Sequence, residues 1–149
     1  MPHRPLEPAL KRIRDEGGTV VLCLLRDTDL PREILDDLFG AYRTAGLEVL
    51  RFPVSDFGVP DDGVAFAVLV SDLLARLQRG EGVFVHCYAG QGRTGIVLAC
   101  LLRAAGFEGD PVPEIRSIYH PRAVENPEQR LFVLKFVPRP APAADGPPA

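Results

Sequence analysis

The sequence has few of the features that mark a membrane protein, a secreted protein or a nucleic-acid-binding protein. No apolar run approaches the roughly 20 residues of a membrane-spanning helix, and Met1 to Ile13 has no apolar core of signal-peptide length. Lysine occurs only twice, and the net charge of −3 gives no general attraction to nucleic acid or to an anionic membrane. We therefore expect neither partner, and an anionic substrate would need a local positive site.

Cysteine is scarce, and its spacing favours no structural role. Cys23, Cys87 and Cys100 are an odd number with no CxxC pair, so a disulfide framework and a zinc site are poorly supported and a reducing cytoplasm is expected. The sequence has no H-E-x-x-H, no aspartate cluster, no G-x-S-x-G elbow and no Gly-Lys-[Ser/Thr]. We expect no metal and no cofactor.

Amphipathic stretches alternate with short apolar runs along the chain. Residues 19–25 and 83–86 are predicted to be buried strands, residues 47–52 are predicted to be another strand, and helices are predicted around them. Two shorter helices are predicted to begin at 110–111 and 126–127, each with a capping residue before proline. This order predicts one α/β domain over residues 1–137, with a mostly parallel central sheet flanked by helices, and a disordered Pro/Ala-rich tail over 138–149.

The most informative segment is HCYAGQGRTG, residues 86–95, between a predicted strand and a predicted helix that begins near Thr94. Its glycines allow the backbone to curl so that successive N–H groups point into one cavity, and the helix adds its positive end there. Such a cavity suits a phosphoryl group. The same field favours the thiolate of Cys87, which would be nucleophilic. Arg93 can hold two phosphate oxygens with its planar guanidinium, and the Thr94 hydroxyl can donate to the thiolate.

Two other interpretations compete for this segment. Gly90, Gly92 and Gly95 also match the dinucleotide fingerprint G-x-G-x-x-G, with Asp110 near the distance expected for a ribose contact. That unit needs a further strand to carry the acid, and residues 107–111 are a predicted turn. Alternatively, Cys87 is a buried structural thiol, which leaves Arg93 and the glycines unexplained.

The pattern His86-Cys87-x5-Arg93-Thr94-Gly95 resembles the signature loop of the cysteine-dependent protein tyrosine phosphatases, and most closely that of the small dual-specificity-like branch. The resemblance extends from about Leu6 to Phe136. It implies that the backbone amides of Tyr88, Ala89, Gly90, Gln91, Gly92 and Arg93 bind the phosphate. It also implies that His86 braces the loop and helps to prepare the thiol.

The resemblance further implies a general acid and a residue that positions water. Residues 52–60 are similar to the family's acid loop, P-x-P-D-x-G-V-P, with Ser55 in place of a proline, and this makes Asp56 the candidate acid. Asp56 could instead be a simple turn residue. Gln129 corresponds to a glutamine that helps to position water in relatives, but Asn126 and Gln129 could also form a helix capping box.

These residues predict a metal-independent phosphatase that acts through a phosphocysteine, as a monomer. The expected substrates are phosphotyrosine proteins, with phosphoserine and phosphothreonine proteins also considered. The alternatives are a small phosphate monoester such as an inositol phosphate, a non-catalytic phosphate-binding adaptor, and sulfur transfer or arsenate reduction by a cysteine in an anion-binding loop. Cys23 and Cys100 are interpreted as small apolar core residues, although a redox partnership with Cys87 is a further hypothesis.

Overall fold

The fold is three layers with a short parallel sheet in the middle. A computed structural model describes residues 6–88 and 91–139 of the chain. Within these ranges the elements are α1 (Leu6–Asp15), β1 (Gly18–Cys23), α2 (Arg32–Thr44), β2 (Glu48–Arg51), α3 (Gly63–Gln78), β3 (Gly82–His86), α4 (Gly92–Ala104), α5 (Val112–Ile118) and α6 (Pro127–Lys135). The predicted α/β class with a parallel sheet is confirmed.

β1 is the central strand of the sheet order β2-β1-β3. Val21 is paired with Val49 of β2 on one side and with Phe84 of β3 on the other, both in parallel. The continuous apolar run of β1 follows from this position, because helices cover both faces of the sheet.

Alternate residues of β1 and its extension belong to two separate core clusters. Leu22 and Leu24 pack with α3, α4, α5 and α6 on one face. Val21, Cys23 and Leu25 pack with α1 and α2 on the other. All five are fully buried, as the period-2 geometry of a strand between two helical layers requires.

Two helices begin at positions that differ from the predictions. α4 begins at Gly92 rather than near Thr94, so Arg93 already lies in its first turn. α5 begins at Val112 with Pro111 before it, and Asp110 accepts a hydrogen bond from the Val112 N–H at 2.9 Å. The N-cap is therefore Pro111 and not the predicted Asp110, and the helix starts one residue later than predicted.

The ends of the chain were assigned from composition. Residues 1–5 of the predicted domain and 140–149 of the predicted tail lie outside the described residues. Within the described part of the chain, no helix is both long enough and apolar enough to cross a membrane.

Candidate active site

The candidate site lies where the carboxyl ends of the three parallel strands meet. Cys87 follows β3 directly, Asp29 follows the end of β1, and Asp56 lies in the loop after β2. Open α/β sheets bind their ligands at this edge. The backbone holds the loops there: the N–H groups of Phe52 and Val54 donate to the carbonyls of Cys23 and Leu24, at 3.1 and 3.0 Å.

The start of α4 faces the Cys87 thiol. The Thr94 hydroxyl donates to Cys87 Sγ over 3.2 Å, and the Cys87 residue is only 5% exposed. Gln91 is the N-cap and makes no side-chain capping hydrogen bond. The first-turn N–H groups of a helix, together with its positive end, make a site for an anion.

Arg93 is buried beside the thiol. Its side chain is 2% exposed, and Nη1 donates both to Asp29 Oδ2 at 2.8 Å and to the Val54 carbonyl at 3.0 Å. Nη2 lies 3.6 Å from Asp56 Oδ1. Because Nη1 carries two N–H groups and both are used, the guanidinium is fixed by its Nη1 corner.

Asp29 is the counter-ion of Arg93. Its Oδ2 also accepts a hydrogen bond from the Arg26 N–H at 2.8 Å, and its Oδ1 lies 3.6 Å from Arg26 Nη2. Burial by itself raises the pKa of the Asp29 carboxyl, but the hydrogen bonds from Arg26 and Arg93 and their positive charges outweigh burial and lower it. Asp29 is therefore an ionised carboxylate that anchors Arg93.

His86 connects α2 to the start of the loop between β3 and α4. Its Nδ1 lies 3.3 Å from the Cys87 carbonyl, and its Nε2 lies 3.0 Å from the Tyr42 hydroxyl. Burial lowers the pKa of His86, which favours the neutral ring. A carbonyl can only accept, so Nδ1 carries the hydrogen and Tyr42 donates to Nε2.

The loop of residues 52–60, which carries Asp56 and is called the acid loop below, is hydrogen-bonded to the first turn of α6. Asn126 Nδ2 donates to the Phe57 carbonyl at 2.8 Å, and Gln129 Nε2 donates to the Gly58 carbonyl at 3.0 Å. Asn126 Oδ1 also accepts from the Gln129 N–H at 2.9 Å, so it caps α6 as predicted. The capping box differs in one detail, because Gln129 Oε1 accepts from the Glu125 N–H rather than from the Asn126 N–H.

Two residues of the segment before α6 reach the same site. Burial, followed by the proximity of Cys87, raises the pKa of the Tyr119 hydroxyl, and the influence of Thr94 lowers that pKa by a smaller amount. The Glu125 carboxylate occupies the space that a Cβ at Gly92 would need. A larger residue at position 92 would therefore have to displace the Glu125 carboxylate.

The structure brings most of the predicted residues together. Cys87, Arg93, Thr94 and Asp56 form one cluster, His86 supports it, and Gln129 reaches it through the acid loop. Tyr88 is 46% exposed at the mouth of the loop. Ala89 and Gly90 lie outside the described residues.

The other two cysteines are core residues. Cys23 and Cys100 are fully buried in opposite core clusters, and burial raises the pKa of each thiol. In the ranges 6–88 and 91–139, no group of three or more His, Cys, Asp or Glu side chains could hold a metal ion.

Sequence reasoning missed Asp29, Tyr42 and Tyr119 as parts of the site. A signal for Asp29 was present, because the polar run Arg26-Asp27-Thr28-Asp29 follows a buried strand and therefore lies at the carboxyl edge of the sheet. Tyr42 fits the apolar stripe of α2, and nothing in the local pattern indicates that its hydroxyl meets His86.

The family can be stated at this point. Residues 2–106, more than half of the chain, match the model of a family described as "Tc-R-P: Polymorphic toxin system, DSP-PTPase phosphatase". The chain belongs to this family of dual-specificity-type, cysteine-dependent tyrosine phosphatases, as the signature segment predicted.

Individual relatives agree with this assignment. The chain is 31% identical, over 91% of its length, to phosphatidylglycerophosphate phosphatase PTPMT2 of Arabidopsis thaliana, and covers 57% of that protein. It spans less than two thirds of the length of the first curated relatives that it matches.

Solved structures have the same fold. The active form of Tk-PTP superimposes with a TM-score of 0.71 at 30% identity, covering 91% of this chain and 85% of that one. Kinase-associated phosphatase, in a form whose catalytic-site cysteine is replaced by serine, gives a TM-score of 0.75 at 20% identity, covering 85% of this chain and 72% of that one.

Proposed function

We propose that this protein hydrolyses phosphate monoesters through a phosphocysteine intermediate on Cys87. The observation that carries the proposal is the arrangement of three groups at the start of α4. Cys87 Sγ lies 3.2 Å from the Thr94 hydroxyl, Arg93 lies in the same first turn, and Asp56 lies on the loop after β2. A nucleophile, an anion-binding helix start and an acid then surround one space.

In the first step, the Cys87 thiolate attacks phosphorus while the bond to the leaving oxygen breaks. Backbone N–H groups at the start of α4 and the Nε–Nη2 edge of Arg93 hold the phosphoryl oxygens. Asp56, which is half exposed and lies 3.6 Å from Arg93 Nη2, gives its proton to the leaving oxygen.

In the second step, water attacks phosphorus and the bond from phosphorus to sulfur breaks. The Asp56 carboxylate takes a proton from the water, and inorganic phosphate leaves. The Thr94 hydroxyl stabilises the thiolate that forms, because a hydrogen bond to a charged group is stronger than one to the neutral thiol.

We test this with p-nitrophenyl phosphate under reducing conditions, with EDTA, from pH 5 to 8. Wild type should turn over, Cys87→Ser should not, and Asp56→Asn should lose one limb of the pH profile. The loss in kcat of Asp56→Asn should be roughly 10²–10⁴-fold in general and smallest for substrates with a good leaving group. No turnover combined with tight binding of phosphate analogues would indicate an adaptor. Activity retained in Cys87→Ser would refute the mechanism.

For the substrate, we propose phosphotyrosine proteins first, with phosphoserine and phosphothreonine proteins second. The name of the Arabidopsis relative, a phosphatidylglycerophosphate phosphatase, supports a small or lipid phosphate monoester as the second candidate class. Values of kcat/KM on phosphotyrosine and phosphothreonine peptides, an inositol phosphate and phosphatidylglycerophosphate would rank them. A monomer and a cytoplasmic location also remain proposals, to be tested by light scattering and by fractionation.

A further inference from the structure

The loop that carries Asp56 is hydrogen-bonded to two side chains of another element immediately after the acid. Asn126 donates to the carbonyl of Phe57, and Gln129 donates to the carbonyl of Gly58. These are the first and second residues after Asp56. Both donors lie at the start of α6, whose own position is fixed by packing on α4 and α3.

Phe57 has a backbone conformation that needs support. Its φ is +60°, in the left-handed region that glycine or asparagine normally occupies. It is the third residue of a tight turn closed by the Gly58 N–H, which donates to the Ser55 carbonyl at 2.8 Å. The Phe57 residue is 61% exposed, so ring packing does little to hold it. A strained residue persists when surrounding contacts over-determine it, and the bond from Asn126 is such a contact.

In the side-chain amides of Asn126 and Gln129, the oxygen and the nitrogen both make hydrogen bonds to backbone groups. Asn126 Oδ1 caps α6 through the Gln129 N–H, which sets the amide so that Nδ2 meets Phe57. Gln129 is 0% exposed. Its Oε1 accepts a hydrogen bond from the Glu125 N–H, and its Nε2 donates to the Gly58 carbonyl. Both amides therefore connect α6 to the acid loop.

We propose that Asn126 and Gln129 form an acid-loop latch, a pair of positioning residues that hold Asp56 at the distance required for proton transfer to the leaving group. The inference rests on the proposed function, in which Asp56 is the general acid. A latch acts only through Asp56, so its loss should matter most for the substrates that depend most on protonation of the leaving oxygen.

The test variant is Asn126→Ser. Serine is about as good an N-cap as asparagine, so α6 keeps its cap. The serine side chain has no amide group, so it cannot replace the hydrogen bond that the Asn126 amide donates to the Phe57 carbonyl. We expect kcat/KM for phenyl phosphate to fall about fivefold, the equivalent of one neutral hydrogen bond. For p-nitrophenyl phosphate, whose leaving group needs less protonation, the loss should be less than about twofold.

Asp62→Ser is the matched control. Asp62 caps α3 by accepting from the Ala65 N–H at 3.0 Å, and its side chain has no hydrogen bond to the acid loop in the described part of the chain. This variant makes the same kind of change at another helix start. It should leave the ratio of kcat/KM for phenyl phosphate to kcat/KM for p-nitrophenyl phosphate unchanged. If Asn126→Ser does not fold, Asn126→Asp keeps the capping oxygen, lacks the donor, and is expected to shift the substrate ratio in the same direction.

A double-mutant cycle separates the latch from the acid. In an Asp56→Asn background, Asn126→Ser should cause no further loss on phenyl phosphate. An equal loss on both substrates, or the full loss again in the Asp56→Asn background, would overturn the latch. If Asp56→Asn alone left the ratio of kcat/KM for the two substrates unchanged, the acid role of Asp56 would be refuted. Because this variant keeps Asn126, the result would be distinguishable from failure of the latch.

Discussion

Replacing Asp29 by asparagine should destabilise the protein, because the Arg93 guanidinium would lose its buried counter-ion. The two side chains are 2% and 9% exposed, and 2.8 Å separates Arg93 Nη1 from Asp29 Oδ2. Breaking a buried ion pair by neutralising one partner costs about 3–5 kcal/mol. Asparagine keeps an oxygen that can accept a hydrogen bond from Nη1, so we expect the free energy of unfolding to fall by a smaller amount, about 2–3 kcal/mol.

Thermal unfolding in phosphate-free buffer measures this loss. In a domain of this size, 1 kcal/mol shifts Tm by about 2–4 °C, so Tm of Asp29→Asn should fall by about 4–12 °C. Added orthovanadate should raise Tm more in the variant than in wild type, because the bound anion supplies negative charge for Arg93. Asp27→Asn is the control: Asp27 is exposed and pairs with Arg51 at 3.2 Å, so its loss should be below about 1 kcal/mol.

The effect of Asp29→Asn should depend on pH. The hydrogen bonds and positive charges around Asp29 lower its pKa in the folded protein, so the ionised carboxylate stabilises the fold above about pH 4, the ordinary value in an unfolded chain. This contribution is lost as the pH falls through the folded pKa, so the difference between wild type and variant should narrow in acid. A Tm within about 1 °C of wild type at neutral pH, or a difference that stays constant into acid, would refute the reasoning.

Three further predictions concern the residues around the thiol. Burial lowers the pKa of His86, so wild-type stability should be highest above about pH 6.5 and fall below it by up to about 1.4 kcal/mol per pH unit, until the folded pKa is reached. His86→Gln should flatten that slope in urea unfolding. Gly95→Ala should cost about 1–3 kcal/mol, because its Cβ would lie 2.6 Å from the Val124 nitrogen. Thr94→Val should slow phosphoenzyme breakdown about 10–100-fold and phosphoenzyme formation less, which rapid-quench kinetics can separate.

Each of these three has an outcome that contradicts it. An unchanged pH slope in His86→Gln would show that another group titrates. A Gly95→Ala variant as stable as wild type would show that the segment before α6 moves away at little cost. Equal slowing of both steps in Thr94→Val would mean that the hydroxyl does not act on the departing thiolate.

The sequence alone was sufficient for the order of the helices and strands and for the residue pattern at the start of α4. Strand β1 is a continuous apolar run, and the helices have local periodicity and capping residues. The formation of each element therefore depends on residues within a few neighbouring positions. The same holds for Cys87, Arg93 and Thr94, whose spacing places them around one helix start. The family match agrees with what this segment predicted.

The tertiary structure decided which groups support that segment. Arg93 and Asp29 are 64 residues apart, His86 and Tyr42 are 44 apart, and Gln129 and Gly58 are 71 apart. The strand order β2-β1-β3 brings three distant loops to one edge, and no local pattern records that order. The sequence therefore determined which residues are candidates for the reaction, and the packing of the sheet and of α6 determined which residues hold them in place.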